Sequence, residues 1–364
     1  MTPRSQMGSP YMEYAKLHTG AKYNLATSGM VSYPLAELPV KIEDLEINGP
    51  DSYGFAPLVE RIARYNNVAP ECVVTAAGTS FANHLAMAAT FDPGDEVLIE
   101  HPTYELLEST ALYLGAELRR FERRFEEDFR LDPAEVERHI TPRTKLIILT
   151  NLHNPSGDYA DEDTIRTIGN IAKLRGARVM VDEVYLESFY EHRPKPAFHY
   201  GEHFLVTSSL TKAFGLSGIR CGWVLCSPQL AHRMWRINDL YAASPAHPAE
   251  LMGVIAFDHL AQVAARAKAV LDANRYSLNQ FLDAQKTLDL YRPEQGTIAF
   301  PRLRKGSVED FVKLLRENYE TSVVPGRFFD MPQHFRIGIG GDPKMTRTGL
   351  ERLSRALEEY ARII

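Results

Sequence analysis

The sequence has few cysteines, no long apolar run and no block of charge of one sign, and each absence excludes a class of protein. Its three cysteines, Cys72, Cys221 and Cys226, are odd in number and form no CxxC pair, so neither a disulfide framework nor a cysteine zinc site is predicted. No apolar run approaches the roughly 18 residues of a membrane-spanning helix, and the amino terminus lacks the apolar core of a signal peptide. We therefore expect a cytoplasmic protein without a membrane segment.

The charge and the length narrow the possibilities further. A formal net charge of -6 over 364 residues disfavours a nucleic-acid partner, because proteins that bind DNA or RNA usually carry a basic surface. Hydrophobic residues make up 45% of the chain, which is enough to bury at least one full-sized core. The length indicates one large domain and a smaller one.

Short apolar runs alternate with longer helix-like segments from about residue 70 to residue 230. Runs such as LIIL and VMV show no alternation of apolar and polar residues, which is expected of strands that helices cover on both faces. The candidate strands are CVVTAAG, EVLIEHP, TKLIILTNLHN, ARVMVDEVY, FLVTSSL and GWVLCS. This pattern predicts an α/β domain with a mostly parallel sheet as the middle of three layers.

The pattern changes at about residue 248, and this change predicts a second domain. A long amphipathic stretch, GVIAFDHLAQVAARAKAVLDANRYSLNQFLDAQ, leads to shorter mixed elements and a closing helix near residues 344–364. Helices of the first domain are predicted at residues 80–90, 104–114 and 161–174. We predict a large domain at 46–247 and a smaller α+β domain built from 1–45 and 248–364.

Polar residues that follow the candidate strands are the candidates for chemistry, because ligands of open α/β sheets collect beyond the carboxyl ends of the strands. Gly78, Thr79 and Ser80 open a helix after one strand, and the free N–H groups of a helix start suit a phosphate. In SSLTKAFGLSGIRCGW, Lys212 and Arg220 lie among small residues without an evident carboxylate partner. This segment indicates an anionic ligand and a group with which Lys212 can react. The other candidates at strand ends are Tyr104, Asn154, Asp182, Tyr185 and Ser209.

The segments NLHNPSG, VDEVY and SSLTKAFGLSGIRCGW occur in a spacing that resembles the class I and II aminotransferases. DPGDEVLIEHPTY, TSVVPGRFF and FRIGIGG also resemble family segments in the family's order, so the resemblance covers most of the chain. It implies fold type I, the cofactor pyridoxal 5'-phosphate and a homodimer with shared active sites. An α-amino acid and a 2-oxo acid are the implied substrates.

The resemblance also implies a role for each candidate residue. Lys212 would form a Schiff base with the cofactor and carry a proton during catalysis. Asp182 would pair with the pyridine nitrogen, and Asn154 and Tyr185 would donate to the phenolic oxygen of the ring. Tyr104 would stack on the face of the ring. The residues implied for the phosphate are Gly78, Thr79, Ser80, Ser209 and Arg220.

Three residues are implied in substrate binding. Arg336, in FRIGIGG, stands where the family has an arginine that binds the α-carboxylate through two parallel hydrogen bonds. Gly29, which follows Ser28 in NLATSGM, belongs to an amino-terminal segment that passes over the substrate, and Asn154 faces the substrate as well. No metal ligand is implied.

One segment departs from the family pattern. Many relatives carry a tyrosine five residues before the glycine of a G-x-x-x-L-R segment, and it reaches the phosphate in the other subunit. In INGPDSYGFAPLVE that position is Gly49, and Val59 replaces the arginine. The residue that crosses between subunits is therefore left open.

The motifs predict an aminotransferase but leave alternatives open. The same cofactor site serves lyases, decarboxylases and enzymes of natural-product biosynthesis, because their reactions branch after a shared first step. A catalytically silent regulator that binds the cofactor is a further alternative, but regulators of this kind usually carry a helix-turn-helix extension, for which we expect no room. No second arginine for a distal carboxylate is evident, and the side-chain specificity is left open.

Overall fold

A seven-stranded sheet forms the centre of the larger part of the molecule. In this computed structural model, which describes residues 7–50 and 52–364, helices and strands are numbered in chain order. From one edge to the other the sheet contains β2 (Val73–Ala77), β8 (Cys221–Leu225), β7 (Phe204–Ser209), β6 (Arg178–Asp182), β5 (Thr144–Thr150), β3 (Glu96–His101) and β4 (Glu117–Glu122). Strand β8 runs antiparallel to both of its neighbours, β2 and β7, and the other six strands share one direction, so the predicted mostly parallel sheet is confirmed.

The edge strand β4 is absent from the strands predicted by the sequence. Its sequence, ELRRFE, is mostly charged, and Phe121 is its one buried side chain. It pairs in parallel with β3 alone. Charged side chains are typical of edge strands because they discourage pairing with other chains, and they also remove the apolar run by which we recognised the other strands.

Helices cover both faces of this sheet, as the three-layer prediction requires. They are α2 (Ala56–Asn66), α3 (Gly78–Ala88), α4 (Glu105–Tyr113), α5 (Pro133–His139), α6 (Glu162–Leu174), α7 (Pro228–Asn238) and α8 (His247–Asp258). Helix α3 begins two residues before its predicted start, and α6 begins where the Asp161 carboxylate accepts from the Thr164 N–H at 2.8 Å. Two apolar cores, one on each face, bury residues such as Ile168 and Leu85.

The smaller part of the molecule combines both ends of the chain. It contains α1 (Pro10–Leu17), β1 (Tyr23–Asn24), α9 (Leu260–Ala284), β9 (Leu288–Asp289), β10 (Ile298–Ala299), β11 (Arg302–Leu303), α10 (Val308–Tyr319), β12 (Thr321–Ser322), β13 (Val324–Pro325), β14 (Phe335–Gly338) and α11 (Pro343–Ile363). Strand β1 pairs in parallel with β12, and Leu25 shares a core with Leu350 and Leu353 of α11. Tyr33 packs instead into the core of the larger part. The boundaries at 46 and 247 stay a prediction.

The predicted long amphipathic stretch is two helices. Helix α8 ends at Asp258 and α9 begins at Leu260, with His259 between them. The apolar residues of α8 and the first residues of α9, up to Ala264, pack on the core of the larger part, whereas those of α9 from Ala267 onward pack in the smaller core. The change from one core to the other therefore lies within α9, after the break at His259. In the ranges described, no helix is both long and apolar enough to cross a membrane.

Candidate active site

A cavity of about 250 Å³ lies where the carboxyl ends of β5 and β6 and the loop after β7 meet the amino-terminal segment. Among its lining residues are eight that the sequence predicted: Thr79, Ser80, Tyr104, Asn154, Asp182, Tyr185, Lys212 and Arg220. Gly78, Ser209, Gly29 and Arg336 do not line it, but each lies against a residue that does. The fold thus brings the candidate residues to one place, while their roles stay predictions.

Asp182 ends strand β6 and is almost fully buried, with 5% of its surface exposed. Its Oδ2 accepts from the Asn83 side-chain amide at 2.8 Å, and its Oδ1 accepts from the Val184 N–H at 3.1 Å. Burial raises the pKa of Asp182 to about 6, although these two donors and the charge of Lys212 oppose the rise. The carboxylate is therefore ionised at neutral pH and held in one orientation.

Asn83 is a residue that the sequence reasoning missed. It lies on α3 and is 3% exposed, and its amide oxygen accepts from the Thr207 hydroxyl at 2.5 Å. Because this oxygen is occupied, the amide nitrogen must face Asp182. A single amide among the apolar residues of FANHLAMA was the available signal.

Lys212 lies in the loop after β7 and has one hydrogen bond from its amine. Its Nζ donates to the Ser28 hydroxyl at 3.3 Å, and its backbone oxygen accepts from the Met30 N–H at 2.7 Å. A Cβ built on Gly29 would lie 3.4 Å from Lys212 Cδ, so the amino-terminal segment packs closely on the lysine stem. Across the described ranges no carboxylate forms an ion pair with Lys212, which leaves its amine available for chemistry.

Donors suited to an anion gather at the start of α3. The Thr79 hydroxyl donates to the Ser209 hydroxyl at 2.7 Å, and the Arg220 guanidinium donates to the backbone oxygens of Ala77 at 3.1 Å and Ser217 at 3.4 Å. Gly78 has a φ of 76°, and a Cβ there would overlap the Arg220 guanidinium. Glycine is favoured because this left-handed φ strains any residue with a Cβ, and its small size lets the Arg220 guanidinium lie against the helix start.

Arg336 on β14 is fully buried, and its hydrogen-bond partners are neutral. Nη1 donates to Asn154 Oδ1 at 2.9 Å, and Nη2 donates to the Tyr11 hydroxyl at 2.7 Å and to the Ala26 backbone oxygen at 3.3 Å. Its Nε has no partner among the residues that the structure describes. In the part of the chain that the structure describes, no acid forms an ion pair with Arg336, so the site holds an uncompensated positive charge.

Tyr11 is the second residue that the sequence reasoning missed. It lies on α1, lines the cavity, and packs edge-on against Tyr104 with ring centroids 5.5 Å apart. The Ser9 side chain caps α1 and also donates to the Glu105 carboxylate, so α1 is fastened to α4. Helix α1 thus forms a cover over the cavity. Nothing in the sequence around Tyr11 distinguished it from an ordinary core aromatic.

The donor set matches the chemistry of a phosphorylated pyridine aldehyde. Such a molecule needs donors for its phosphate, a carboxylate for a protonated ring nitrogen and an amine for its aldehyde. The start of α3 with Arg220, the buried Asp182 and the unpaired Lys212 amine offer these three functions around one cavity. We conclude that pyridoxal 5'-phosphate fits the residues present.

Comparison with known proteins also indicates a site for pyridoxal 5'-phosphate. The family model described as "Aminotransferase class I and II" matches residues 46–353. Capreomycidine synthase of Streptomyces vinaceus is 28% identical over 356 residues, which cover 94% of this chain and 91% of that protein. A crystal structure of a PLP-dependent aminotransferase from Streptococcus suis has a TM-score of 0.91 at 26% identity, covering 97% of this chain and 99% of that one. The PLP-dependent cyclase OrfR has a TM-score of 0.89 at 25% identity, covering 99% and 100%.

Proposed function

This chain belongs to the class I and II aminotransferase family and its cofactor is pyridoxal 5'-phosphate, and from that premise we propose that it transfers the amino group of an α-amino acid to a 2-oxo acid. The observation that carries the proposal is the Lys212 amine, which forms no ion pair in the described ranges and shares one cavity with the buried Asp182 carboxylate. When bound, the cofactor supplies an electron-withdrawing ring that stabilises negative charge at the substrate's Cα.

Residues on three sides of the cavity would hold the cofactor. The N–H groups at the start of α3, the Ser209 hydroxyl and the Arg220 guanidinium are the donors for its phosphate. The Asp182 carboxylate would accept from the ring nitrogen and keep it protonated. Asn154 and Tyr185, which line the same cavity, are the donors for its phenolic oxygen.

Lys212 is the base for the proton on the substrate's Cα. It is the lysine that lines the cavity, and its Nζ is held by a single hydroxyl contact with Ser28. A primary amine with one weak partner can turn toward a second atom and deliver the proton there. Its half-buried position near Tyr11 of α1 would limit the access of water during this transfer.

Transamination is tested most directly by withholding the acceptor. Stoichiometric enzyme mixed with a good amino-acid donor should release about one 2-oxo acid per active site and then stop, with its cofactor recovered as pyridoxamine phosphate. Adding a 2-oxo acid should restart the reaction. Sustained turnover without an acceptor, and without pyridoxamine phosphate for any donor in a broad panel, would exclude an aminotransferase.

A second candidate is a cofactor-dependent cyclase or another enzyme of natural-product biosynthesis. The similarity to capreomycidine synthase over most of both chains, and the likeness to the cyclase OrfR, favour this alternative. A cyclase forms its product from one substrate, so it would turn over repeatedly without a 2-oxo acid. Mass analysis of the product from the acceptor-free reaction therefore separates the two candidates.

A homodimer is the proposed assembly, as is general in this family. Supporting it is a set of exposed apolar side chains in two segments that Tyr53 connects, through its stacking on Trp235 and its hydrogen bond to Asp239. The set comprises Ile42, Ile47, Leu240 and Tyr241. Light scattering on the protein and on an Ile47→Asp, Leu240→Asp variant tests it; a dimer in the first and a monomer in the second are expected.

A further inference from the structure

The buried charge of Arg336 needs an anion, and the geometry around it limits how an anion can bind. A carboxylate takes two parallel hydrogen bonds from a guanidinium along one of two edges, Nε with Nη2 or Nη1 with Nη2. Both edges include Nη2. Here both hydrogens of Nη2 are in use, because it donates to Tyr11 Oη at 2.7 Å and to Ala26 O at 3.3 Å.

Tyr11 stands between Arg336 and the cavity. Arg336 is 0% exposed and does not line the cavity, whereas the Tyr11 side chain does. The Tyr11 oxygen accepts from Arg336, and within residues 7–50 and 52–364 the hydroxyl proton of Tyr11 has no acceptor. A hydroxyl that accepts from a cation becomes a stronger donor.

We propose that the Tyr11 hydroxyl, polarised by Arg336, stays on the guanidinium and donates to the α-carboxylate of the substrate beside it, instead of leaving Nη2 when the carboxylate binds. Tyr11 is then a substrate-binding residue, and α1 is part of the carboxylate site. The inference rests on the proposed function, since it takes an α-amino acid as the ligand.

The charges around Tyr11 add a pH dependence to this contact. Arg336 of β14, Lys212 of the loop after β7, and Glu105 and Tyr104 at the start of α4 face the phenol. Burial favours the neutral phenol, but Arg336 and Lys212 outweigh it, and the pKa of Tyr11 is lowered from its ordinary value. Ionisation removes the donated proton and places negative charge beside the carboxylate, so carboxylate affinity should fall as the pH rises.

The test uses the holoenzyme and two ligands that differ only in the carboxylate. 2-Aminoisobutyrate and tert-butylamine both lack a Cα proton, and replacing the carboxylate by methyl converts the first into the second. Binding is read from the cofactor absorbance. Tyr11→Phe keeps the ring contacts with Tyr104 and Phe328, and Tyr14→Phe on the same helix, whose hydroxyl donates to Val323 O, is the matched control.

Tyr11→Phe should weaken 2-aminoisobutyrate about tenfold, the loss expected for one hydrogen bond to a charged group. It should leave tert-butylamine unchanged and abolish the alkaline loss of carboxylate affinity. Tyr14→Phe should change none of these. Unchanged or tighter binding of 2-aminoisobutyrate to Tyr11→Phe would overturn the inference, because the carboxylate would then meet Arg336 directly.

Arg336→Met separates this inference from the proposed function. If it weakens 2-aminoisobutyrate and Tyr11→Phe does not, the carboxylate site stands and the role of Tyr11 fails. If the wild-type protein does not distinguish the two ligands, no carboxylate site exists here, and both the inference and the proposed substrate class fail.

Discussion

The floor of the cavity and its cover are built on different principles. The floor consists of side chains at the ends of β6 and β7, with Asp182 and Lys212 fixed by a sheet that is buried on both faces. The cover is α1, a helix of eight residues, held by the contacts of Ser9 and Tyr11. The residues that we propose for the chemistry therefore lie in the floor, and Tyr11, which we propose for substrate binding, lies in the cover. The two sets of residues should respond differently to mutation.

Lys212→Ala should have the largest effect of any single change to the floor. Turnover should fall by roughly 10⁴-fold or more, because the base and the covalent amine are lost together. Cofactor should remain partly bound through the donors around Arg220. Borohydride reduction followed by peptide mapping checks the assignment: label on the peptide containing Lys212 is expected, and label on another lysine would refute it.

Asp182→Ala should lower the turnover number by roughly 10³-fold, the scale for losing a preorganised electrostatic contact. Cofactor retention should change far less, since the phosphate donors are untouched. Single-turnover kinetics measure the effect. Glu183→Gln is the control, because Glu183 is an adjacent buried carboxyl that accepts from the Ala197 N–H at 2.8 Å and does not line the cavity. Wild-type rates in Asp182→Ala would remove this residue from its role.

Arg336→Ala removes the residue of β14 to which the cover is attached through Tyr11. It should lower kcat/KM by an amount that corresponds to a loss of roughly 2 to 4 kcal/mol in transition-state stabilisation, as expected when one partner of a buried charge contact is truncated. Most of the loss should appear in KM. Arg336→Lys should restore little, because an ammonium cannot replace the planar donors that reach Asn154 and Tyr11. Unchanged kinetics in both variants would place the carboxylate elsewhere.

Asn83→Leu tests whether the Asn83 amide supports the Asp182 carboxylate in the floor of the cavity. Removing a donor to Asp182 should raise the carboxyl's pKa above its value of about 6, so activity should disappear at a higher pH as the solution is acidified. At neutral pH the loss should be about tenfold, in line with one buried hydrogen bond to a charged group. Thr207→Val should raise the pH at which activity is lost by a smaller amount. A pH–rate profile identical to that of the wild type would show that Asn83 does not support Asp182.

Glu183→Gln should have the smallest effect on activity and a measurable one on stability. Burial raises the pKa of Glu183 from 4.5 to about 8, so its folded-state pKa lies above the unfolded one. The neutral form is therefore favoured by folding, and stability falls as the pH rises through about 8. Urea unfolding at acidic and alkaline pH should show a decline on the order of 1 to 3 kcal/mol in the wild type, and a smaller decline in the variant.

Sequence patterns predicted the floor well and the cover poorly, for a physical reason. Buried parallel strands leave continuous apolar runs, and the residues that follow them, such as Asp182 and Lys212, are grouped by the sheet itself. Strand β4 was not predicted, because its exposed edge position favours charged residues over an apolar run. Tyr11 and Asn83 were not predicted as site residues, because their contacts with Arg336 and Asp182 join positions that are 325 and 99 residues apart in the chain.

The parallel pair of β1 and β12 sets a time order for the synthesis of this protein. Tyr23 is aligned with Thr321, so the amino-terminal strand waits for about 300 further residues before its partner exists. At the usual pace of translation this wait lasts about 15 to 60 seconds. The sheet with Lys212 and Asp182 leaves the ribosome first, while α1 remains without the strand that anchors its end of the chain. The nascent chain therefore contains the residues proposed for the chemistry before the proposed substrate-binding site is complete, because that site needs the last segments to be made.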